Sequence, residues 1–273
     1  MKVGIIGTGN MGTILTEALI NGGAVSPSEL IITNRTIGKA YKLQTSYEEI
    51  TVAQRPDEVI NEAKLIFICV KPLDIVKVIQ ENRKFFTGEK CLVSITSPIE
   101  VKWLEKSVAS SCARVIPSIT NRALSGVSLL TFGEGCKDPW RVILKEMFSK
   151  VSVPVEIDES IVRVASDIVS CGPAFYCYLT RKLIDAAVKE TNIDEKTATI
   201  LSESMLAGLG ELLKKGYYSL PALQEKVCVK GGITGEGIDV LQRETGDMFE
   251  KLFRATHKKF AAEADVIEKA FFS

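Results

Sequence analysis

The sequence is poor in the residues that metal sites draw on. A single histidine, His257, stands among 273 residues, and the seven cysteines form no CxxC pair. A structural or catalytic metal needs several such ligands at close spacing, so no metal is expected. Net charge is missing as well: Lys+Arg and Asp+Glu number 34 each, leaving no field to draw nucleic acid or an anionic membrane surface. Nor is there a long apolar run at the start. MKVGIIGTGNMG meets glycine directly after Val3–Ile6, far short of the ~20 residues of a membrane span and too short for a signal segment. Cys69, Cys91, Cys112, Cys136, Cys171, Cys177 and Cys228 lie mostly in apolar runs and read as reduced core thiols. A soluble, unprocessed protein of a reducing cytoplasm follows, with a small-molecule site and neither nucleic acid nor membrane as partner.

What the sequence does contain is alternation. With 46% apolar residues it can build two modest cores. Short β-branched runs at Val3–Ile6, Leu30–Thr33, Leu65–Val70, Leu92–Thr96 and Arg114–Ile116 are separated by amphipathic stretches such as Thr13–Ile20, Leu73–Ile79 and Glu100–Ser107. Strands apolar on both faces and spaced by helices predict an α/β fold, a Rossmann-type doubly wound parallel sheet. A run at Val127–Phe132, a helix over Pro139–Phe148 and a strand at Val151–Val155 complete that layer. Past Ile157 the pattern becomes helical: Pro173–Lys189, Asp194–Lys214, Leu220–Val229, Ile238–Thr245 and Met248–Phe272. The expected domains are 1–157, dinucleotide-binding, and 158–273, all-helical. Ala198–Leu213 is apolar on more than one side, which points to cover by another subunit and so to a homodimer or higher oligomer through the C-terminal helices.

Gly7-Thr8-Gly9-Asn10-Met11-Gly12 follows the first strand and opens a helix, the context a dinucleotide fingerprint requires. Gly7 permits a sharp turn, Gly9 clears room for pyrophosphate, and Gly12 lets helix and strand approach. The second strand ends in Asn34-Arg35-Thr36, where an NAD site would place a carboxylate. Arg35 instead offers a cation for a 2′-phosphate, with Asn34 and Thr36 as donors, so NADP(H) is the expected cofactor; a solvated surface arginine is the other reading.

Several blocks carry a wider resemblance: IGTGNMG, ITNRT, FICVKP at 67–72, RVIPS at 114–118, SCGPAF at 170–175, IDAAV at 184–188 and VKGGITGEG at 229–237. On these the sequence resembles the pyrroline-5-carboxylate reductase family over essentially its whole length, and within it the divergent ComER-type branch. The resemblance implies hydride transfer from NADPH to the C=N carbon of 1-pyrroline-5-carboxylate, a cyclic imino acid, giving proline. It also implies that Cys69, Val70, Lys71 and Pro72, together with Thr96 and Ser97, line the nicotinamide side. A solvated strand-end lysine is the other reading of Lys71.

By the same resemblance Val229, Lys230, Gly231, Gly232, Ile233 and Thr234 form the substrate turn, with backbone N–H groups receiving the carboxylate and Thr234 as the catalytic contact to the ring nitrogen. Without it, Thr234 reads as a helix N-cap. Pro173 suits the first turn of its helix. Cys171 reads as a buried small residue, His257 as part of a solvated face, and Trp103 and Trp140 as packing residues. The family's usual Ser-Pro before the glycines is here Val229-Lys230, and its usual Met-Pro-Asn-Thr-Pro is Ile116-Pro117-Ser118-Ile119-Thr120. Gly235-Glu236-Gly237 weakens the following helix start, and Lys230 can either bind a further acidic group or pair with Glu236. A second function is therefore carried alongside the first: a reductase-like, NADP-binding regulatory protein with weak activity, or activity retuned to another imino or keto acid.

Overall fold

The computed structural model describes residues 1–272. Its strands are β1 (Val3–Ile6), β2 (Leu30–Thr33), β3 (Thr51–Val52), β4 (Leu65–Ile68), β5 (Cys91–Ser94), β6 (Ser111–Ile116), β7 (Val127–Phe132) and β8 (Val153–Glu156). They form one sheet in the order β3-β2-β1-β4-β5-β6-β7-β8. Among them β1, β2, β4, β5 and β6 are buried at every position, as uninterrupted apolar runs require when helices cover both faces.

The period of two divides β4 between two cores. Leu65 and Phe67 face a cluster containing Leu15, Leu19, Trp140, Leu144 and Phe148, supplied by α1 (Asn10–Asn21) and α6 (Asp138–Ser149). Ile66 and Ile68 face Val59, Ile75, Ile79, Trp103 and Leu104, from α3 (Pro56–Glu62), α4 (Pro72–Asn82) and α5 (Val101–Ser107). Each such side chain contributes about 1.5–3 kcal/mol by leaving water. Both tryptophans are packing residues, Trp103 at 2% and Trp140 at 7% exposure.

Three features of the sheet layer depart from expectation. β6 and β7 are antiparallel, because residues 117–126 hold only a short 3₁₀ turn at Ile119–Ala123, too little chain for a parallel crossover. The segment between β2 and β4 contains β3, α3 and α2 (Gly38–Ser46), which have little apolar periodicity of their own. Finally, the ladder of β4 stops at Ile68, so Cys69 and Val70 lie beyond it.

The chain divides into two compact units, Met1–Pro173 with the chain from Ala255 onward, and Ala174–Arg254. The expected border at Ile157 is where the last strand ends, but the first unit continues beyond it. α7 (Val162–Ser166) passes through a π-helical turn, Asp167–Cys171, into α8 (Gly172–Glu190). Pro173 is the second residue of α8, in its first turn as expected, but α8 continues the π-helical turn and is not a free helix start. Proline cannot donate to the preceding turn. The Val169 carbonyl takes the Ser118 hydroxyl at 2.8 Å, and Ser170 donates to the Pro117 carbonyl at 2.9 Å. The end of α12 (Met248–Phe272) belongs to the first unit because it has an apolar face to bury. Ile267 and Phe271 pack beside Trp103, with ring centroids 6.0 Å apart for Trp103 and Phe271, and Gln80 donates to the Ala270 carbonyl.

The second unit is helical: the remainder of α8, then α9 (Glu195–Lys214), α10 (Leu220–Val227), α11 (Ile233–Thr245) and the start of α12. Its apolar side chains are largely exposed, among them Tyr176, Leu183, Ile200, Leu201 and Met205. The cysteines follow this division. Cys69, Cys91, Cys112 and Cys136 are buried, whereas Cys171 and Cys228 are half-buried and Cys177, on α8, is exposed, so the expectation of core thiols fails for those three. Among the described residues no helix is long and apolar enough to cross a membrane.

Candidate functional site

The parallel register brings the strand ends level. Ile6 pairs with Thr33 on one side and Ile68 on the other, and Ile68 pairs with Ser94. The residues following β1, β2, β4 and β5 thus share one edge, at the point where strand order reverses about β1, the usual place for a ligand in an open α/β sheet. Gly7–Met11, Asn34–Thr36, Cys69–Pro72 and Thr96–Ser97 are all on that edge.

Within the glycine loop, Gly7 has φ +103°, and a Cβ there would sit 2.7 Å from the Cys69 carbonyl oxygen. At Gly12 a Cβ would lie 1.9 Å from the carbonyl oxygen of Gly7, so α1 approaches β1 more closely than any side chain allows. Gly9 differs: a Cβ there would meet nothing within 4 Å, and its extended backbone accepts any residue. Protein packing does not demand this glycine, but a group approaching from outside would. Gly9 is also the N-cap of α1 and has no side chain to satisfy the first N–H groups, leaving them free for an anion. The Thr8 hydroxyl, buried beside them, has no partner among the described residues. The donor set and the cleared space fit a dinucleotide pyrophosphate.

Asn34 has a task within the protein that its sequence position did not reveal. Its Oδ1 accepts from the Thr8 N–H at 3.0 Å and its Nδ2 donates to the Thr36 carbonyl at 3.0 Å, so it ties the end of β2 to the glycine loop. Arg35 projects outward as the exposed cation of this segment, 86% exposed, with the Asp74 carboxylate 3.6 Å away. Thr36 and Lys71 are exposed. Burial pushes the Cys69 thiol well up, so it stays protonated and serves as an apolar wall.

Sequence reasoning missed two arginines behind this edge. Arg114, on β6, is fully buried and makes two 2.8 Å bonds to Glu159, with further bonds to the carbonyls of Ser97 and Ile99. Arg163 donates to Asp167 at 2.7 Å and to the Ser97 hydroxyl at 3.2 Å. The signals were present: a cation inside a strand buried on both faces requires a counter-charge, and residues 163 and 167 stand one helical turn apart. His257 is not simply solvated. It is half-exposed, with Nε2 3.7 Å from the buried Asp167 carboxylate. Arg163 also reaches the Cys171 sulfur at 3.5 Å, yet burial outweighs it and pushes the thiol up, away from nucleophilic use.

A cavity of about 740 Å³ elsewhere in this unit is lined by Glu100, Glu105, Glu134, Glu156, Asp158 and Glu159 together with Lys102 and Lys106, so carboxylates outnumber cations on its wall.

In the second unit, Gly231 has φ +73° and Gly232 is the N-cap of α11, its N–H bonded to the Val229 carbonyl at 2.8 Å. The helix starts at Ile233, five residues before the expected Ile238. Thr234 is therefore inside the first turn and is not the cap. Its side chain is exposed, and the first N–H groups of the helix have no side-chain cap. Val229 and Ile233 are 68% and 93% exposed. Lys230 forms no ion pair with Glu236 among the described residues.

Two family models match the chain: an NADP oxidoreductase, coenzyme F420-dependent, over residues 2–98, and pyrroline-5-carboxylate reductase dimerisation over residues 159–263. ComE operon protein 4 of Bacillus subtilis is 49% identical, covering 99% of both chains. Pyrroline-5-carboxylate reductase 3 of the same organism is 29% identical over 98% of both. Among solved structures, the pyrroline-5-carboxylate reductase of Coxiella burnetii has TM-score 0.83 at 21% identity, covering 97% of this chain and 98% of that one. The Plasmodium falciparum pyrroline carboxylate reductase, solved with NADP bound, has TM-score 0.81 at 20% identity, covering 98% of both. With the glycine loop, the mostly parallel sheet and the helical second unit all in place, the chain belongs to the pyrroline-5-carboxylate reductase family, in the branch of ComE operon protein 4.

Proposed function

We propose that the chain is an NADP(H)-dependent oxidoreductase that reduces the C=N bond of 1-pyrroline-5-carboxylate to give proline, and that it works as a homodimer or higher oligomer through its C-terminal helices. The observation that carries the reading is the open, uncapped start of α1 at Gly9, in a chain of this family. NADPH supplies the hydride when bound. The chain's own residues bind and orient. The backbone of Gly7–Met11 receives the pyrophosphate, Arg35 the 2′-phosphate, and Cys69–Pro72 with Thr96 and Ser97 border the nicotinamide.

At the start of α11, the N–H groups after Gly231 and Gly232 receive the substrate carboxylate, and the Thr234 hydroxyl hydrogen-bonds the ring nitrogen, with Val229, Lys230 and Ile233 flanking. An iminium carbon accepts hydride readily, so holding two rings in register supplies most of the rate. The exposed apolar side chains of α8 and α9 are the surface that a second copy covers.

A second reading has its own support. The relative at 49% identity carries the name of a competence operon protein, and Val229 and Lys230 replace the Ser-Pro of the family pattern. On this reading the protein binds NADP(H) and has weak or retuned activity, with Lys230 receiving another acidic group.

Oxidation of NADPH with pyrroline-5-carboxylate separates the two readings: turnover supports the first, and a folded, NADPH-binding protein without turnover supports the second. Thr234→Ala should lower that turnover about tenfold or more while leaving NADPH affinity unchanged; equal turnover removes Thr234 from the substrate site. Gly9→Ala should melt like the parent protein yet lose about tenfold or more in dinucleotide affinity, since its methyl fills only ligand space. In fluorescence titrations NADPH should bind about tenfold tighter than NADH, with Arg35→Ala erasing the difference. A preference for NADH would refute the cofactor assignment. Sedimentation at micromolar concentration should show a dimer or larger species, and a monomer would leave the exposed helices of the second unit without their proposed cover.

A further inference from the structure

The loop after β5 has little backbone support of its own. Beyond Ser94 the Thr96 N–H donates to the Ser94 hydroxyl at 3.3 Å, and the remaining fixation comes from two guanidinium groups meeting at Ser97. Arg114 Nη1 donates to the Ser97 carbonyl at 3.2 Å, and Arg163 Nη1 donates to the Ser97 hydroxyl at 3.2 Å. Arg114 is locked in the sheet by Glu159 and by the Ile99 carbonyl at 2.8 Å.

Arg163 is held through its two terminal nitrogens, while its buried Nε has no hydrogen-bond partner among the described residues. Its Nη2 donates to Asp167 at 2.7 Å, and its guanidinium lies 5.5 Å from the centroid of the Phe260 ring. Asp167 is 1% exposed and accepts in turn from the Thr256 hydroxyl at 2.7 Å, so its carboxylate is fixed before Arg163 meets it. A hydroxyl has two acceptor sites and one hydrogen. At Ser97 the guanidinium takes an acceptor site, which leaves the hydrogen to be given away.

We propose that Arg163 is a positioning residue for the nicotinamide side of the cofactor site: held by Asp167, it orients the Ser97 hydroxyl as a donor to a carbonyl-type acceptor on the ligand, the chemistry of a carboxamide. The inference rests on the NADP(H) reading. It assigns a purpose to an ion pair that is otherwise costly to bury, and it makes the π-helical turn carrying Asp167 part of the support for the cofactor site.

Two ligands divide the question: NADPH, which carries the carboxamide, and 2′,5′-ADP, which carries the adenine half and 2′-phosphate alone. Binding of each is measured by calorimetry on the full chain, for the parent, Arg163→Gln, Ser97→Ala and the double variant. Arg163→Gln should weaken NADPH about tenfold, the scale of one supported hydrogen bond, and shift 2′,5′-ADP by less than about twofold. In a Ser97→Ala background the same change should cost nothing further, because the group it acts through is gone. Equal weakening of both ligands, unchanged NADPH binding, or full additivity with Ser97→Ala each overturn the proposal while the cofactor assignment stands. Failure of the parent protein to bind either ligand overturns both. Where Arg163→Gln does not fold, Asp167→Asn releases the same guanidinium and is read by the same ratio.

Discussion

The approach of Gly12 to the Gly7 carbonyl is the constraint on which the cofactor edge depends. A Cβ at Gly12 would lie 1.9 Å from that oxygen, so α1 meets the end of β1 at a distance only glycine permits. With the helix this close, its free N–H groups stand directly over the switch point of the sheet, and the positive end of its dipole faces the same space. Ladder register then fixes the surroundings. Since Ile6 is level with Thr33 and Ile68, the Asn34 side chain can reach the Thr8 N–H and the Cys69 carbonyl lies beneath Gly7. The backbone of the loop is thus placed by helix packing, register and the Asn34 side chain.

Behind that edge, charge is handled in a way that links fold to site. Arg114 lies wholly inside the sheet layer, where an unpaired guanidinium would cost several kcal/mol, and Glu159 supplies the opposing charge from the segment after β8. Arg163 and Asp167 repeat the device one helical turn apart. Both arginines end on Ser97. The chain between β8 and α8 therefore fixes the loop after β5, although some sixty residues separate them in sequence.

Much of this was legible in the residues. Strand positions followed from continuous apolar runs, and the glycine loop from its strand and helix context. What failed was whatever depended on partners distant in sequence. That Asn34 ties the end of β2 to the glycine loop was not legible, because nothing local shows that Thr8 needs its oxygen. Pro173 looked like a helix start because a π-helical turn before it, stabilised by Ser118 on another loop, leaves no periodic signature. The end of α12 looked like part of the helical domain because its own pattern says only that one face is apolar, not that Trp103 receives it. Arg114 and Arg163 could have been flagged as charges needing partners, but their convergence on Ser97 is a property of the fold.

On the substrate role proposed for the turn at Gly231–Thr234, a substrate site can diverge while a cofactor site holds. Backbone N–H groups at a helix start recognise an anion whatever the neighbouring side chains are, provided the chain can take the φ of +73° at Gly231 and pass closely at Gly232. Val229, Lys230 and Ile233 are exposed around those groups, so changing them leaves the backbone N–H groups in place. The glycine loop has no such latitude, since a methyl at Gly7 or Gly12 collides with backbone. Side chains beside the Gly231–Gly232 turn can therefore change at far lower structural cost than residues of the glycine loop. Lys230, which has no ion-pair partner among the described residues, is the position where such a change places a charge beside the turn, and on the proposed substrate role that charge would favour a further acidic group.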